Sequence, residues 1–313
     1  RAPLPLERER VVRDSEPGEG RTSALLDWYR KNARDLPWRR TSDPYAVWVS
    51  EVMCQQTQVA TVIPYWERFL ARFPTVRALA DAPLDAVTPY WSGLGYYARC
   101  RNLHAAARAV VERHGGVFPN DFEALLDLPG FGPYTAGAVG SIACGLDVPV
   151  VDGNVARVLC RWEGWEVGVE EATKRAWSLA PSLVPRGEAG MWNQALMELG
   201  ATVCTPAIAR CPTCPVRAWC VSAKRGDPTK YPLPKVRPAR KPLHVASVVV
   251  RDGDGVLMVK RASSTLFGGL WELPSAEVPP GEDLAKAAQG LAAELLGKKA
   301  SVRRIGKVEA TLT

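Results

Sequence analysis

The chain has 313 residues, 47% of them hydrophobic, with a formal net charge of +7 and a pI near 9.0. That length and apolar content suit about two packed domains and argue against disorder throughout, while the basic balance favours a polyanionic partner. A membrane span is excluded because no apolar run nears the roughly 20 residues it needs. The opening stretch RAPLPLERER lacks the apolar centre of a signal peptide, and eight cysteines in a large helix-rich chain argue for a reducing, cytoplasmic setting over a disulfide scaffold.

Residues 1–20, rich in Pro, Glu and Arg, read as a disordered tail. TSALLDWYRKN (22–32) is predicted to be a helix with Leu25, Trp28 and Tyr29 on one side, followed by the loop DLPWRR (35–40). Asp43-Pro44 starts the next helix by the cap-then-proline rule. Its continuation carries Val59, Val62, Ile63, Trp66, Phe69 and Leu70 at helical spacing, and Pro64 is expected to break it in two. Further helices fit 75–79, 84–91, 99–113, 122–126, 171–183 and 192–199, and no alternating strand run appears before residue 240. The first two-thirds is therefore expected to be all-α.

The chain is organised around LPGFGPYTAGAVGSIACGLDVPVVDGNV, residues 128–155. Gly130 and Gly132 sit just ahead of a helix opened by Pro133, where backbone N–H groups point outward and no Cβ blocks an anion. An isolated G-x-G is also a common chain reversal. Val148 to Val151 then leads to Asp152-Gly153-Asn154, which places a carboxylate at the mouth of a helix running from Val155 to Trp162. A phosphate-gripping hairpin followed by a lone carboxylate points to chemistry on a nucleic acid.

Cys204, Cys211, Cys214 and Cys220 have the spacing C-x6-C-x2-C-x5-C. Zinc ribbons usually come as two C-x2-C knuckles and this run has one, so a [4Fe–4S] cluster is favoured. Arg210 and Arg217 flank the ligands, which suits a cationic platform for phosphates. Cys54, Cys100, Cys144 and Cys160 lie singly in apolar surroundings and read as small core residues.

Residues 223–242 form a basic, proline-rich extended linker: Lys224, Arg225, Lys230, Lys235, Arg237, Arg240 and Lys241 face the single charge of Asp227. It is either a phosphate-contacting strap or a solvated tether. From Val245 the pattern turns to strands, with VASVVV, a turn at Asp252-Gly253-Asp254-Gly255, and VLMVKR in hairpin order. A helix is expected over 284–296 and a strand over 301–310. The chain stops at Thr313, inside what reads as an incomplete α/β domain.

Taken together, LPGFGPYTAGAV, VVDGNVARVL and the four-cysteine loop resemble the helix-hairpin-helix DNA glycosylases of the endonuclease III superfamily. DLPWRRTSDPYAVWVSEVMCQQTQVATVIPYWERF, WSGLGYYARCRNLH and NQALMELGATVCT are similar to the adenine-specific branch, over roughly residues 22–222. The resemblance implies a glycosylase domain over 21–222, with the cluster loop at 204–220. It also implies a monomer that acts on double-stranded DNA at 8-oxoguanine:adenine or guanine:adenine mispairs, in a bacterial-like cytoplasm or nucleoid. Relatives with lyase activity carry a lysine in the hairpin helix; this chain has Tyr134 there and no lysine between Lys31 and Lys174, so a monofunctional enzyme is expected.

The resemblance also implies roles. Glu51, in an apolar stretch, is expected to be protonated near neutral pH and to donate to a ring nitrogen of an extruded adenine. Asp152 is expected to stay ionised at its helix N-terminus and to stabilise or attack the sugar, a role compatible with capping the helix. Asn154 and Tyr134 are the companions that orient sugar and nucleophile. Trp38, Arg39 and Gln194 form the adenine pocket, and Gln56 and Tyr96 enter the stack where the base leaves. Tyr97 reads as core or as a contact to the opposing purine, and Cys54 replaces the branch's usual leucine.

Residues 243–313, through HVASVVVRDGDGVLMVKR and LFGGLWELP, resemble part of a Nudix-like (MutT-like) domain. In that family a glutamate-rich helix holds Mg²⁺; here the helix keeps Glu294 but has Gly290, Leu291 and Leu295 where Arg, Glu and Glu would stand. Recognition of the base opposite adenine, without hydrolysis, is the expected task.

Overall fold

The computed structural model describes residues 17–234, 242–262 and 268–309. Twelve helices come first: α1 (Pro17–Asn32), α2 (Pro44–Cys54), α3 (Val59–Arg72), α4 (Val76–Asp81), α5 (Leu84–Trp91), α6 (Tyr97–His114), α7 (Phe122–Leu126), α8 (Pro133–Ile142), α9 (Gly153–Glu163), α10 (Val169–Leu183), α11 (Ala189–Thr202) and α12 (Val221–Arg225). The chain divides into two compact units, Arg1–Gly95 with Arg99–Val236, and Tyr96–Ala98 with Arg237–Thr313. Among the described residues no helix is long and apolar enough to cross a membrane.

Local chemistry accounts for the helix starts. The Asp43 carboxylate accepts from the Tyr45 N–H with Pro44 at the first position, and Thr75, Asp121 and Asp152 cap α4, α7 and α9 in the same way. The first unit's core is shared by α1, α9 and α11 through Leu25, Leu159, Trp162, Trp192 and Leu199, with Val216 and Cys220 of the cysteine loop joining it. Each large apolar side chain buried there contributes about 1.5–3 kcal/mol. Helix α8 packs against α2, α7 and α11. Gly137 makes its close approach possible, since a Cβ there would stand 2.3 Å from the Pro149 carbonyl oxygen. The segment leading to Asp152 is fixed by buried Asn193, which donates to the Val148 carbonyl and accepts from the Val150 N–H.

In the second unit β1 (His244–Ser247) pairs antiparallel with the last strand, Ser275–Val278, in the register His244↔Val278. Between them lie β2 (Arg251–Asp252), β3 (Gly255–Val256), β4 (Val259–Lys260) and β5 (Trp271–Glu272), paired β2 with β3 and β4 with β5; Ser275–Val278 is β6. Helix α13 (Leu284–Leu296) packs on β1 and β6.

Four expectations change. The helix expected from residue 22 starts at Pro17, where Gly20 lies against Trp219 and Arg21 stacks over Trp162 at 4.8 Å; the rest of the expected tail, 1–16, lies outside the described residues. Pro64 does not break α3. It sits in the second turn, and the carbonyl it strands belongs to exposed Ala60, so water can satisfy it. The break falls instead at residues 55–58, between α2 and α3. The described part of 223–242 is not uniformly extended: α12 runs to Arg225 and a single 3-10 turn covers Pro228–Lys230, while 235–241 lie outside the described residues. Finally, 301–309 form no strand and are exposed, since no described strand pairs with them; residue 310 lies outside the described residues.

Candidate active site and cysteine loop

Four helices bring the candidate catalytic side chains together. Glu51 comes from the last turns of α2 and is 9% exposed. The Tyr134 hydroxyl, from the first turn of α8, donates to Glu51 Oε2 at 2.5 Å and also contacts Met197 Sδ of α11. Burial raises the Glu51 pKa, and the charge of Asp152 raises it further; the Tyr134 hydrogen bond and Arg39 pull the other way. The same surroundings push the Tyr134 phenol well above its usual range.

Asp152 caps α9: Oδ1 accepts from the Val155 N–H at 2.7 Å and Oδ2 from Asn154 Nδ2 at 2.8 Å. These are the hydrogen bonds expected to favour its anion. Burial outweighs them, so the Asp152 pKa lies above the ordinary value, with Arg157 among the opposing influences. Arg157 is a residue the sequence did not single out. It donates to Asn154 Oδ1 at 2.8 Å, to the Gly200 carbonyl and to the Cys204 carbonyl at 2.9 Å, joining Asn154 to the first cysteine of the loop. Gly200 matters here because a Cβ would stand 2.6 Å from Asn154 Cβ.

Arg39 and Gln194 meet through Tyr29. The Arg39 guanidinium lies 5.4 Å from the Tyr29 ring, and the Tyr29 hydroxyl donates to Gln194 Oε1 at 3.2 Å. Trp38 is buried in the 3-10 turn that also carries Arg39, and it packs edge-on against Trp66. A further carboxylate, Glu198, is 0% exposed on α11 and is held by Arg34 at 2.7 and 2.9 Å and by Arg39 at 2.8 Å. These two guanidinium groups overcome burial and lower its pKa. Inside the apolar run ALMELGA, no spacing signal marked Glu198 as paired.

Gln56 and Tyr96 share an unusual backbone. Among the described residues they are the non-glycine positions with positive φ, +56° and +48°. For a side-chain-bearing residue that conformation costs about 1–2 kcal/mol. Both side chains are exposed, Tyr96 by 44%. In the hairpin, Gly130 has φ +74° and a Cβ there would meet Asn102 Cβ at 2.5 Å, so the turn requires glycine. Gly132 caps α8 with open space where a Cβ would be.

Cys204, Cys211, Cys214 and Cys220 line one pocket together with Arg161, Trp162 and Leu199. None of the eight cysteines forms a disulfide. Arg161 is 1% exposed and anchors the loop: it donates to the carbonyls of Thr205, Pro206 and Tyr231 and lies 3.2 Å from Cys204 Sγ. Among the described residues no three His, Cys, Asp or Glu side chains are arranged to hold a single metal ion.

Comparison with known proteins identifies the family. Residues 49–182 match the model of the HhH-GPD superfamily of base excision DNA repair proteins. The chain is 41% identical over 321 residues to the adenine DNA glycosylase of Homo sapiens, covering 85% of this chain and 59% of that protein. It is 34% identical to that of Schizosaccharomyces pombe, covering 81% and 68%. Among solved structures, a thermostable thymine-DNA glycosylase superposes with a TM-score of 0.60 at 30% identity, covering 66% of this chain and 98% of that one. The chain spans about three-fifths of the length of the mammalian relatives it matches. On sequence and fold alike, it belongs to the adenine DNA glycosylase family of the HhH-GPD superfamily.

Proposed function

We propose that the protein is a monofunctional adenine DNA glycosylase of base excision repair, removing adenine opposite 8-oxoguanine or guanine and leaving an abasic site. The observation that carries this reading is the hydrogen bond of Tyr134 to a buried Glu51 whose carboxyl also feels the charge of Asp152. Both carboxyls are raised by burial, but their partners differ: Glu51 accepts from one phenol, whereas Asp152 accepts two hydrogen bonds at a helix N-terminus that favour its anion, which suits an acid role for the first and an anionic one for the second. Glu51 protonates a ring nitrogen of adenine, and the glycosidic electron pair leaves with the base. Asp152 faces the electron-poor sugar as stabiliser or nucleophile, and water completes hydrolysis. Arg39, Gln194 and Trp38 supply the base pocket; Gln56 and Tyr96 fill the gap in the stack; Gly130 and Gly132 hold a phosphate through backbone amides.

The same proposal assigns a [4Fe–4S] cluster to Cys204, Cys211, Cys214 and Cys220. Four thiols from one loop lining one pocket form a donor set suited to it, and the single C-x2-C in their spacing favours it over a zinc ribbon. When bound, the cluster would tie the loop's ends together. Residues 21–222 are assigned as the catalytic unit and 243–313 as part of a Nudix-like unit that reads the base opposite adenine.

The likeness to a thymine-DNA glycosylase favours a second reading, release of thymine from a guanine:thymine mispair. Defined duplexes carrying each mispair, incubated with the protein and then treated or not with alkali, separate the two. Adenine release with strand breaks only after alkali is expected. Thymine release would replace the substrate assignment, and breaks without alkali would contradict monofunctional chemistry.

A further inference from the structure

The guanidinium of Arg99 holds two loops at once. Nη1 donates to the carbonyls of Val52 and Met53 at 2.9 and 3.0 Å and, closer still, to that of Gln55. Nη2 donates to Thr57 Oγ1 at 3.2 Å and to the carbonyls of Leu94 and Gly95 at 3.1 and 3.4 Å. The group also stacks over Trp91, whose own indole N–H donates to the Gly95 carbonyl. Two carbonyls from the last turn of α2 therefore end on one cation, where the negative helix terminus favours it.

The sequence positions of these acceptors are informative. Gln55 and Thr57 bracket Gln56, and Gly95 directly precedes Tyr96. Those are the two side-chain-bearing residues with positive φ among the described positions. Val52 directly follows Glu51. One side chain thus fixes the backbone on both sides of one strained residue and immediately ahead of the other.

We propose that Arg99 is a positioning residue for base extrusion: it holds the 55–57 and 94–95 turns in the strained form that presents Gln56 and Tyr96 to the DNA stack before DNA arrives. The inference rests on the glycosylase reading for what those two residues do. Without Arg99 the turns relax toward ordinary backbone conformations, and that ordering must be supplied during extrusion. A lysine keeps the charge but cannot reach acceptors on both loops with a planar fork, so it does not substitute.

The test uses the full chain carrying Glu51→Gln, so that chemistry does not consume the probe, and a duplex with the fluorescent adenine analogue 2-aminopurine opposite guanine. Adding Arg99→Lys is expected to lower the extent of probe unstacking by about tenfold while DNA affinity, read by anisotropy, changes by less than about threefold. In the otherwise unaltered chain, Arg99→Lys is expected to slow adenine release in the same proportion. If Arg99→Lys does not fold, Thr57→Val, which removes one acceptor beside Gln56, is expected to shift unstacking in the same direction by a smaller factor. Unstacking equal to that of the parent in a folded variant overturns the proposal, as does a loss confined to affinity. Unstacking by the Glu51→Gln chain, together with no adenine release by the chain that keeps Glu51, contradicts the glycosylase reading and leaves the role of Arg99 standing.

Discussion

The Tyr134 hydroxyl donates to Glu51 Oε2 at 2.5 Å, and this bond opposes the burial that raises the Glu51 pKa. Because the bond favours the carboxylate, its removal favours the acid. Tyr134→Phe is therefore expected to move the alkaline limb of the adenine-release profile to higher pH. The acid limb reports ionisation of Asp152, whose pKa is also above its ordinary value, so activity should fall before pH reaches the usual carboxylate range. A single-turnover pH profile of both proteins checks the two limbs; an alkaline limb moving down would contradict the assignment of Glu51 as the acid.

The raised Glu51 pKa has a consequence for stability. The folded protein keeps this proton to higher pH than the unfolded chain, so stability declines from the ordinary glutamate range, about 4.3, upward until the folded group has titrated. Glu51→Gln, which resembles the neutral acid and can still accept from Tyr134, removes that decline. Relative to the variant, the parent should lose at most about 1.4 kcal/mol per pH unit across the window. Urea unfolding of both proteins at several pH values measures it, and parallel curves would count against a raised pKa.

Glu198 presents a different balance. Its carboxylate is fully buried between Arg34 and Arg39, and truncation leaves the Arg39 charge without its partner. Glu198→Ala is expected to cost about 3 kcal/mol, the lower end for a broken buried pair because Arg34 remains 40% exposed. It should also disturb the Arg39–Tyr29–Gln194 group, so adenine release should fall beyond the loss of folded protein. Thermal unfolding alongside single-turnover kinetics separates the two effects.

Iron content tests the cysteine loop. The purified protein is expected to carry about four irons per chain and a visible chromophore, both lost in Cys214→Ser. Zinc at one equivalent, with no colour, would overturn the cluster assignment.

Much of the fold was legible because its signals are local. The expected helices 84–91, 122–126 and 284–296 coincide with α5, α7 and α13, where apolar spacing and caps agree. Pro64 misled because its rule concerns a lost hydrogen bond, whereas the actual break at 55–58 is hydrogen-bonded to Arg99, more than 40 residues distant in sequence. Glu51, Tyr134, Asp152 and Asn154 were chosen from motifs, and their convergence depends on α2, α8, α9 and α11 packing together. Arg157, Arg161 and Glu198 were missed for a common reason. Each acts through backbone carbonyls or partners far along the chain, and no residue spacing records such contacts.

Whether Glu51 supplies the proton that releases adenine is read most directly from single-turnover release from an 8-oxoguanine:adenine duplex by the parent and by Glu51→Gln, with DNA affinity measured in parallel. A proton supplied by Glu51 means a loss of at least about 100-fold in release with affinity changed little. Release by Glu51→Gln within a few-fold of the parent, at equal affinity, would contradict it.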